Sequence, residues 1–423
     1  MWLAALGAWA LAAGACAKTG IDAPALAGPG RYVVGFASLT LTQPDQPDPL
    51  DWKPGQARLP TKPRVLPTDI WYPAAARGRT VTYAGALTGE DGHPVQFSIA
   101  GVAVAGARPA VGRFPLVLMA HGYGGTPVAM RWLAENLASK GYVVAGPHFN
   151  DPPITDAKGF VGPLSRRPLD MAFVIGELRG RTGQGVLTFA DPERLALIGY
   201  SMGGYGALTA AGAPLAPMLA PITHGALGPY VAGAPRAETL KAPSVKAVVA
   251  ISPAGVFPGG EAWGATGLGA ITAPTLFVAG DQDHTVGYNP GIKTLWSQET
   301  HAPRWLLTFA NAGHSLGMDA APASMRSRLW DLDWFEDPVW RKDRVLAIEL
   351  HFITAFLDLE VKGEADKADY LNVGEPVGDK AAWTPVKGAP YGAASPGGAV
   401  GGWKGFQARR ATGLELRFAP PAG

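Results

Sequence analysis

The chain has 423 residues with 36 Lys+Arg against 34 Asp+Glu, and the formal charge of +2 excludes the basic footprint of a nucleic-acid binder or of a protein drawn to an anionic membrane. Apolar residues make up 47% and charged residues 17%, enough to bury a large core and far from the composition of a disordered chain. Gly 56 and Pro 39 exceed ordinary usage without a collagen-like period, which predicts long ordered loops, and the single Cys16 rules out both an intramolecular disulfide and a cysteine-rich zinc site.

Trp2 to Ala13 form an apolar run too short to span a bilayer and of the right length for the centre of a secretory signal. Either Ala13-Gly14-Ala15 or Ala15-Cys16-Ala17 fits the small-x-small cleavage pattern, so residues 1–17 read as a signal peptide. Leu11 to Cys16 also resembles a bacterial lipoprotein box in which Cys16 would carry the lipid, although Ala13 stands where that box usually has Leu. No Lys or Arg precedes the run, a departure from the usual charged start, and a buried N-terminal helix is the competing reading. The expectation is export in a bacterium: periplasmic, secreted, or held to a membrane only through Cys16.

Tyr32 to Thr42 reads as a strand, followed by a Pro-rich connection from Pro44 to Pro67 and a second strand at Asp69 to Tyr72, together an antiparallel edge. Leu116 to Ala120, Tyr142 to Ala145, Leu195 to Ile198, Ala247 to Ile251 and Thr275 to Ala279 are short, continuously apolar runs that suit strands buried on both faces. Helix-compatible segments lie between them at Ala129 to Lys140, Pro168 to Arg179 and after Ser201, and this alternation implies a parallel sheet with crossover helices. Pro214 to Ser244 reads as an insertion near the site, Arg341 to Val361 as a long amphipathic helix capping one face, and Leu414 to Phe418 as a terminal strand. The predicted organisation is a catalytic domain over 18–362 and a Gly/Pro-rich extension over 363–423 packed on it, with no internal repeat.

The strongest chemical signal is Gly199-Tyr200-Ser201-Met202-Gly203, directly after one apolar strand and directly before a helix-compatible run, which is the context a nucleophile elbow requires. Glycines two before and two after the serine remove side chains where a tight strand-to-helix turn would clash, and Gly204 and Gly206 relax the packing further. The helix start also favours developing negative charge beside Ser201.

On these residues the chain resembles the α/β-hydrolase superfamily, and within it the dienelactone-hydrolase-like and platelet-activating-factor-acetylhydrolase-like serine esterases. The resemblance runs from about Arg64 to Leu359 and includes Leu66-Pro67-Thr68-Asp69-Ile70-Trp71-Tyr72-Pro73, then Phe114 through Ala120 with His121-Gly122-Tyr123-Gly124-Gly125, then Leu137-Ala138-Ser139-Lys140-Gly141-Tyr142-Val143-Val144. It implies a mostly parallel central sheet with helices on both faces and an insertion after the nucleophile helix. Dienelactone hydrolases proper use cysteine, whereas this elbow carries serine, so the lactone substrate does not transfer.

A serine hydroxyl needs a base near neutral pKa and an acid to orient it. Superfamily order places the acid after a late strand and the histidine in a later loop. After Thr275 to Ala279 comes Gly280-Asp281-Gln282-Asp283-His284, where the family's acid falls on Asp283, with Asp281 as the competing candidate. Asn311-Ala312-Gly313-His314-Ser315 resembles the family's histidine loop and makes His314 the base. Among the other histidines, His93, His224, His301 and His351 read as structural, His284 as pointing away, His148 as a candidate pocket-lining residue and His121 as support for its own loop.

By the same resemblance, the backbone amides of Tyr123 and Met202 form the oxyanion hole. The rival reading of the Gly-rich loop as a turn or phosphate cradle lacks a following Gly-Lys-Ser/Thr and a Gly-x-Gly-x-x-Gly pattern. The expected protein is a carboxylic ester hydrolase working through an acyl-enzyme, with no metal, no cofactor and a small-molecule, lipid or polyester substrate. Tyr230, Phe257 and Trp263 suit an acyl or aryl group, or ordinary packing. An aminopeptidase or amidase of the same superfamily, or a non-catalytic binding protein on its fold, are the alternatives, whereas a dehalogenase would need aspartate in place of Ser201.

Overall fold

Five of the expected apolar runs lie side by side at the centre of one eleven-stranded sheet in the computed structural model, which describes residues 20–56, 58–257, 259–382 and 402–422. Residues 1–17, read above as a signal peptide, lie outside the described residues together with Cys16. In chain order the strands are β1 (Val33–Pro47), β2 (Thr61–Ala74), β3 (Thr80–Thr88), β4 (Pro94–Ala105), β5 (Phe114–Ala120), β6 (Val143–Pro147), β7 (Ala190–Tyr200) and β8 (Val245–Ile251). A small hairpin of β9 (Val256–Phe257) and β10 (Gly260–Glu261) precedes β11 (Thr275–Gly280), β12 (Arg304–Phe309) and β13 (Leu414–Ala419). The sheet order is β13-β12-β11-β8-β7-β5-β6-β2-β1-β4-β3, with all pairings from β6 to β12 parallel.

The central strands are continuously apolar because both faces are covered. In β5, Val117 and Met119 enter one core with α1 (Arg131–Ser139) and the helix Lys342–Glu360, while Leu116, Leu118 and Ala120 enter the other with α2 (Val161–Gly180) and α3 (Met202–Ala210). The same alternation divides β7, β8 and β11 between the two cores. No helix among the described residues is long and apolar enough to cross a membrane.

The structure corrects the sequence reading at three places. First, β1 and β2 are antiparallel as expected but do not form the edge: β4 and β3 lie outside them, and the supposed connection is strand as far as Pro47 and again from Thr61. Second, the sequence reading placed no element between Tyr72 and Leu116, where β3 and β4 pair as an antiparallel hairpin in which the Phe97 ring of β4 covers Gly85 of β3. Third, α2 begins at Val161, so Pro168 sits inside the helix rather than at its start.

That proline deletes the amide that would have bonded to the Leu164 carbonyl. The orphaned oxygen is satisfied from the neighbouring helix, where the buried Tyr205 hydroxyl of α3 donates to it at 3.2 Å. Tyr205→Phe should therefore cost about 1–3 kcal/mol in urea unfolding. In a Pro168→Ala background, where the helical amide is restored, the cost should shrink; equal losses in the two backgrounds would break the link between ring and hydroxyl.

Candidate active site

Ser201 stands between the end of β7 and the start of α3 with φ 54° and ψ −118°, a conformation L-residues avoid. Such strain costs about 1–3 kcal/mol and survives only where the surroundings over-determine it. Here its N–H donates to the Ile251 carbonyl at 2.9 Å, and its carbonyl accepts from Gly204 at 2.8 Å and Ala254 at 3.0 Å. The flanking glycines are required sterically: a Cβ on Gly199 would meet the Gly203 carbonyl oxygen at 2.2 Å, and one on Gly203 would meet the Ala120 carbonyl oxygen at 2.0 Å. Ser201 keeps 9% of its surface accessible in an otherwise buried elbow.

The loop after β5 approaches this serine closely, because a Cβ on Gly122 would lie 3.1 Å from Ser201 Cβ. His121 is buried and braces the loop: its Nδ1 meets the Gly122 carbonyl at 2.7 Å while its Nε2 meets the Phe149 N–H at 3.1 Å. That pairing needs the neutral Nδ1–H tautomer, and burial, followed by the Arg167 charge, pushes the imidazole well below the ordinary histidine range. The backbone amide of Met202 opens α3, where the first N–H groups of a helix have no intrahelical acceptor.

Asp283 lies in the loop after β11, its side chain fully buried, and its Oδ2 is 2.7 Å from His314 Nδ1. Its other oxygen accepts the amides of Thr285 at 3.0 Å and Val286 at 3.1 Å. Burial alone would raise this carboxyl, but the His314 contact and those two amides outweigh it and hold it below the usual carboxylate range. His314 is tied to the elbow through Tyr200, the residue before Ser201: the Tyr200 hydroxyl donates to the His314 carbonyl at 3.0 Å, and the two rings lie 5.2 Å apart. A carboxylate-held imidazole, with Nε2 left as its basic nitrogen, can accept a proton from a hydroxyl and return it to a leaving group.

The competing Asp281 is occupied elsewhere, accepting the Asn311 amide at 2.7 Å as a brace of the histidine loop. His148 bonds Asp69 at 2.9 Å and lines a cleft together with Gly124, Gly125 and Thr126. His284 and His93 are exposed, His224 stacks on Trp52 at 4.1 Å, and His351 is buried in the long helix, where it accepts the Leu26 amide at 3.2 Å. Tyr230, Phe257 and Trp263 are buried and belong to packing; Phe257 continues through Phe160 to Tyr123 in a chain of ring contacts at 5.8 and 5.7 Å. No group of His, Cys, Asp or Glu able to hold a metal occurs among the described residues.

Two supports of the histidine loop escaped the sequence reading. Asp337 accepts the Gly313 amide at 2.7 Å, and Lys342 donates to the Ser315 carbonyl at 2.8 Å. Burial pushes Lys342 down to about 8, with the acidic groups around it opposing the shift. Neither residue sits in a motif, so only the folded chain brings them to the loop.

The sheet order and the strained serine at its centre give this chain the α/β-hydrolase fold. Residues 101–223 match the family model described as PET hydrolase-like, a stretch that includes Ser201 and ends before Asp283 and His314. Among solved structures, a ferulic acid esterase from Streptomyces cinnamoneus is 19% identical with a TM-score of 0.51, covering 81% of this chain and 94% of that one. No curated protein sequence matches significantly.

The glycine geometry gives a contrasting pair of substitutions. Gly203→Ala should abolish ester turnover and lower the thermal midpoint sharply, since its Cβ meets backbone. Gly176→Ala on α2, where a Cβ would meet nothing within 4 Å, should gain about 0.5–1 kcal/mol and leave turnover unchanged.

Proposed function

We propose that the protein is an exported serine esterase that cleaves carboxylic esters through an acyl-enzyme. Ser201 Oγ attacks the ester carbonyl while His314 Nε2 takes its proton, and Asp283 holds the imidazolium that forms. The proton then passes to the departing alkoxide, and water attacks the acyl-enzyme by the same route in reverse, releasing the acid. The amides of Tyr123 and Met202 receive the charge on the carbonyl oxygen, each such donor being worth about 2.7–4 kcal/mol of barrier.

The observation that carries this reading is the 2.7 Å contact between His314 Nδ1 and the buried Asp283, on a loop bonded to the residue that precedes Ser201. The matched family description names a PET hydrolase and the structural neighbour a ferulic acid esterase, which favours an ester over an aminoacyl amide. The half-buried rings of Tyr123 and Phe160, 5.7 Å apart, suit an acyl or aryl group, including that of a polyester. Export rests on the leader at residues 1–17, and a lipid anchor on Cys16.

Ser201→Ala should lose turnover of a short p-nitrophenyl ester and labelling by a fluorophosphonate, with cooperative unfolding retained; surviving turnover would remove Ser201 from the mechanism. Asp283→Asn should lower kcat by about 10⁴-fold, as expected when an imidazole is left in the wrong tautomer. Asp281→Asn should stay within a few-fold of the wild type, and the opposite ranking would reassign the acid.

A further inference from the structure

The loop after β5 hangs from a buried ion pair that the ester mechanism does not use. Arg167 on α2 has no exposed side-chain surface and Asp151 only 2%. Arg167 Nη2 donates to Asp151 Oδ2 at 2.8 Å, and the same oxygen accepts the Gly124 amide at 3.2 Å. The guanidinium also lies over the Phe149 ring, 3.6 Å from its centroid. Phe149 in turn packs against His121 at 4.9 Å and donates its amide to that imidazole, which holds the Gly122 carbonyl.

These two arms reach the peptides on either side of Tyr123. The Gly122 carbonyl and the Tyr123 N–H belong to one planar trans peptide, so holding the oxygen on one side aims the hydrogen to the other. The Gly125 amide, 3.2 Å from the same carbonyl, adds a second hold. Fixing the Gly124 amide on Asp151 then stops the next peptide from turning, at a residue whose φ of 66° leaves the backbone otherwise free to choose.

Stability is a poor reason for Arg167 to be there. Its Nε and Nη1 are buried and find no acceptor among the described residues, an arrangement that destabilises a fold. An apolar pair of similar size is often neutral or stabilising in place of a buried ion pair. The fold makes room for the arginine all the same: a Cβ on Gly206 of the nucleophile helix would lie 2.7 Å from Arg167 Cγ.

We propose that Asp151 and Arg167 are positioning residues that preset the Tyr123 amide for the oxyanion by tying Gly124 and, through Phe149 and His121, Gly122 to helix α2. The proposal rests on the reading of that amide as an oxyanion donor. Fluorophosphonate labelling of the wild type reports on Ser201 separately, so unlabelled wild-type protein would overturn the esterase reading itself.

The test is the double variant Asp151→Leu/Arg167→Met, which removes both charges together. Its thermal midpoint should stay within a few degrees of the wild type or rise. Its kcat on a p-nitrophenyl ester should fall by about 10- to 100-fold, the scale of a misplaced catalytic group, with KM changed less than about threefold. Inhibition by an arylboronic acid, which mimics the tetrahedral intermediate, should weaken in step with kcat/KM, while inhibition by the product carboxylate should not move. Asp151→Asn, which keeps an acceptor for the Gly124 amide, should recover most of kcat. Unchanged kcat in the folded double variant, or a raised KM at unchanged kcat, would overturn the proposal. Loss of cooperative unfolding in both the double variant and Asp151→Asn would also overturn it, by making the pair a support of the core.

Discussion

One backbone residue in a disfavoured conformation sets the terms for the rest of the molecule. Ser201 can hold φ 54° only because three strands and a helix close around it: its amide bonds to the end of β8, Gly203 touches the end of β5, and its carbonyl anchors the first turn of α3 and Ala254. Each contact is a close backbone approach, and each is possible only where a side chain is missing or turned away. The order of the central strands, with β7 between β5 and β8, is therefore what lifts one hydroxyl out of an otherwise buried sheet.

The same sheet brings distant loops to one end. In a parallel sheet all carboxyl ends lie on the same side, so the loops after β5, β7, β11 and β12 converge although they are spread from residue 121 to residue 314. Polar contacts then lock the converged loops together. Tyr200 ties the histidine loop to the elbow, Asp281 and Asp337 fasten its backbone, and Gly280 admits the carbonyls of Ala312 and Gly313, which a Cβ would meet at 2.2 and 2.6 Å. Rigid strands supply the placement, and short hydrogen bonds supply the final alignment that proton transfer demands.

Packing between α2 and α3 shows how a local defect can be absorbed by the tertiary structure. Pro168 deprives Leu164 of its helical donor, and Tyr205 provides one from across the interface. One turn away, Gly206 leaves space for the Arg167 stem. A helix that local propensity would start at its proline instead begins seven residues earlier, because its partner helix satisfies what the proline breaks.

Much of this architecture is legible in the chain itself. Continuous apolar runs mark strands covered on both faces, the glycine spacing around Ser201 marks a bend that tolerates no Cβ, and the order of serine, acid and histidine matches a known chemical logic. These signals are local, so composition and spacing carry them. What lay beyond reach was decided by contacts between residues far apart in sequence. The outer hairpin of β3 and β4 has the Phe97 ring over Gly85, and Asp337, Lys342, Asp151 and Arg167 acquire their places only when remote segments come within hydrogen-bond distance. An isolated charge in a sequence has no period and no spacing rule; its role exists only once folding has chosen its neighbour.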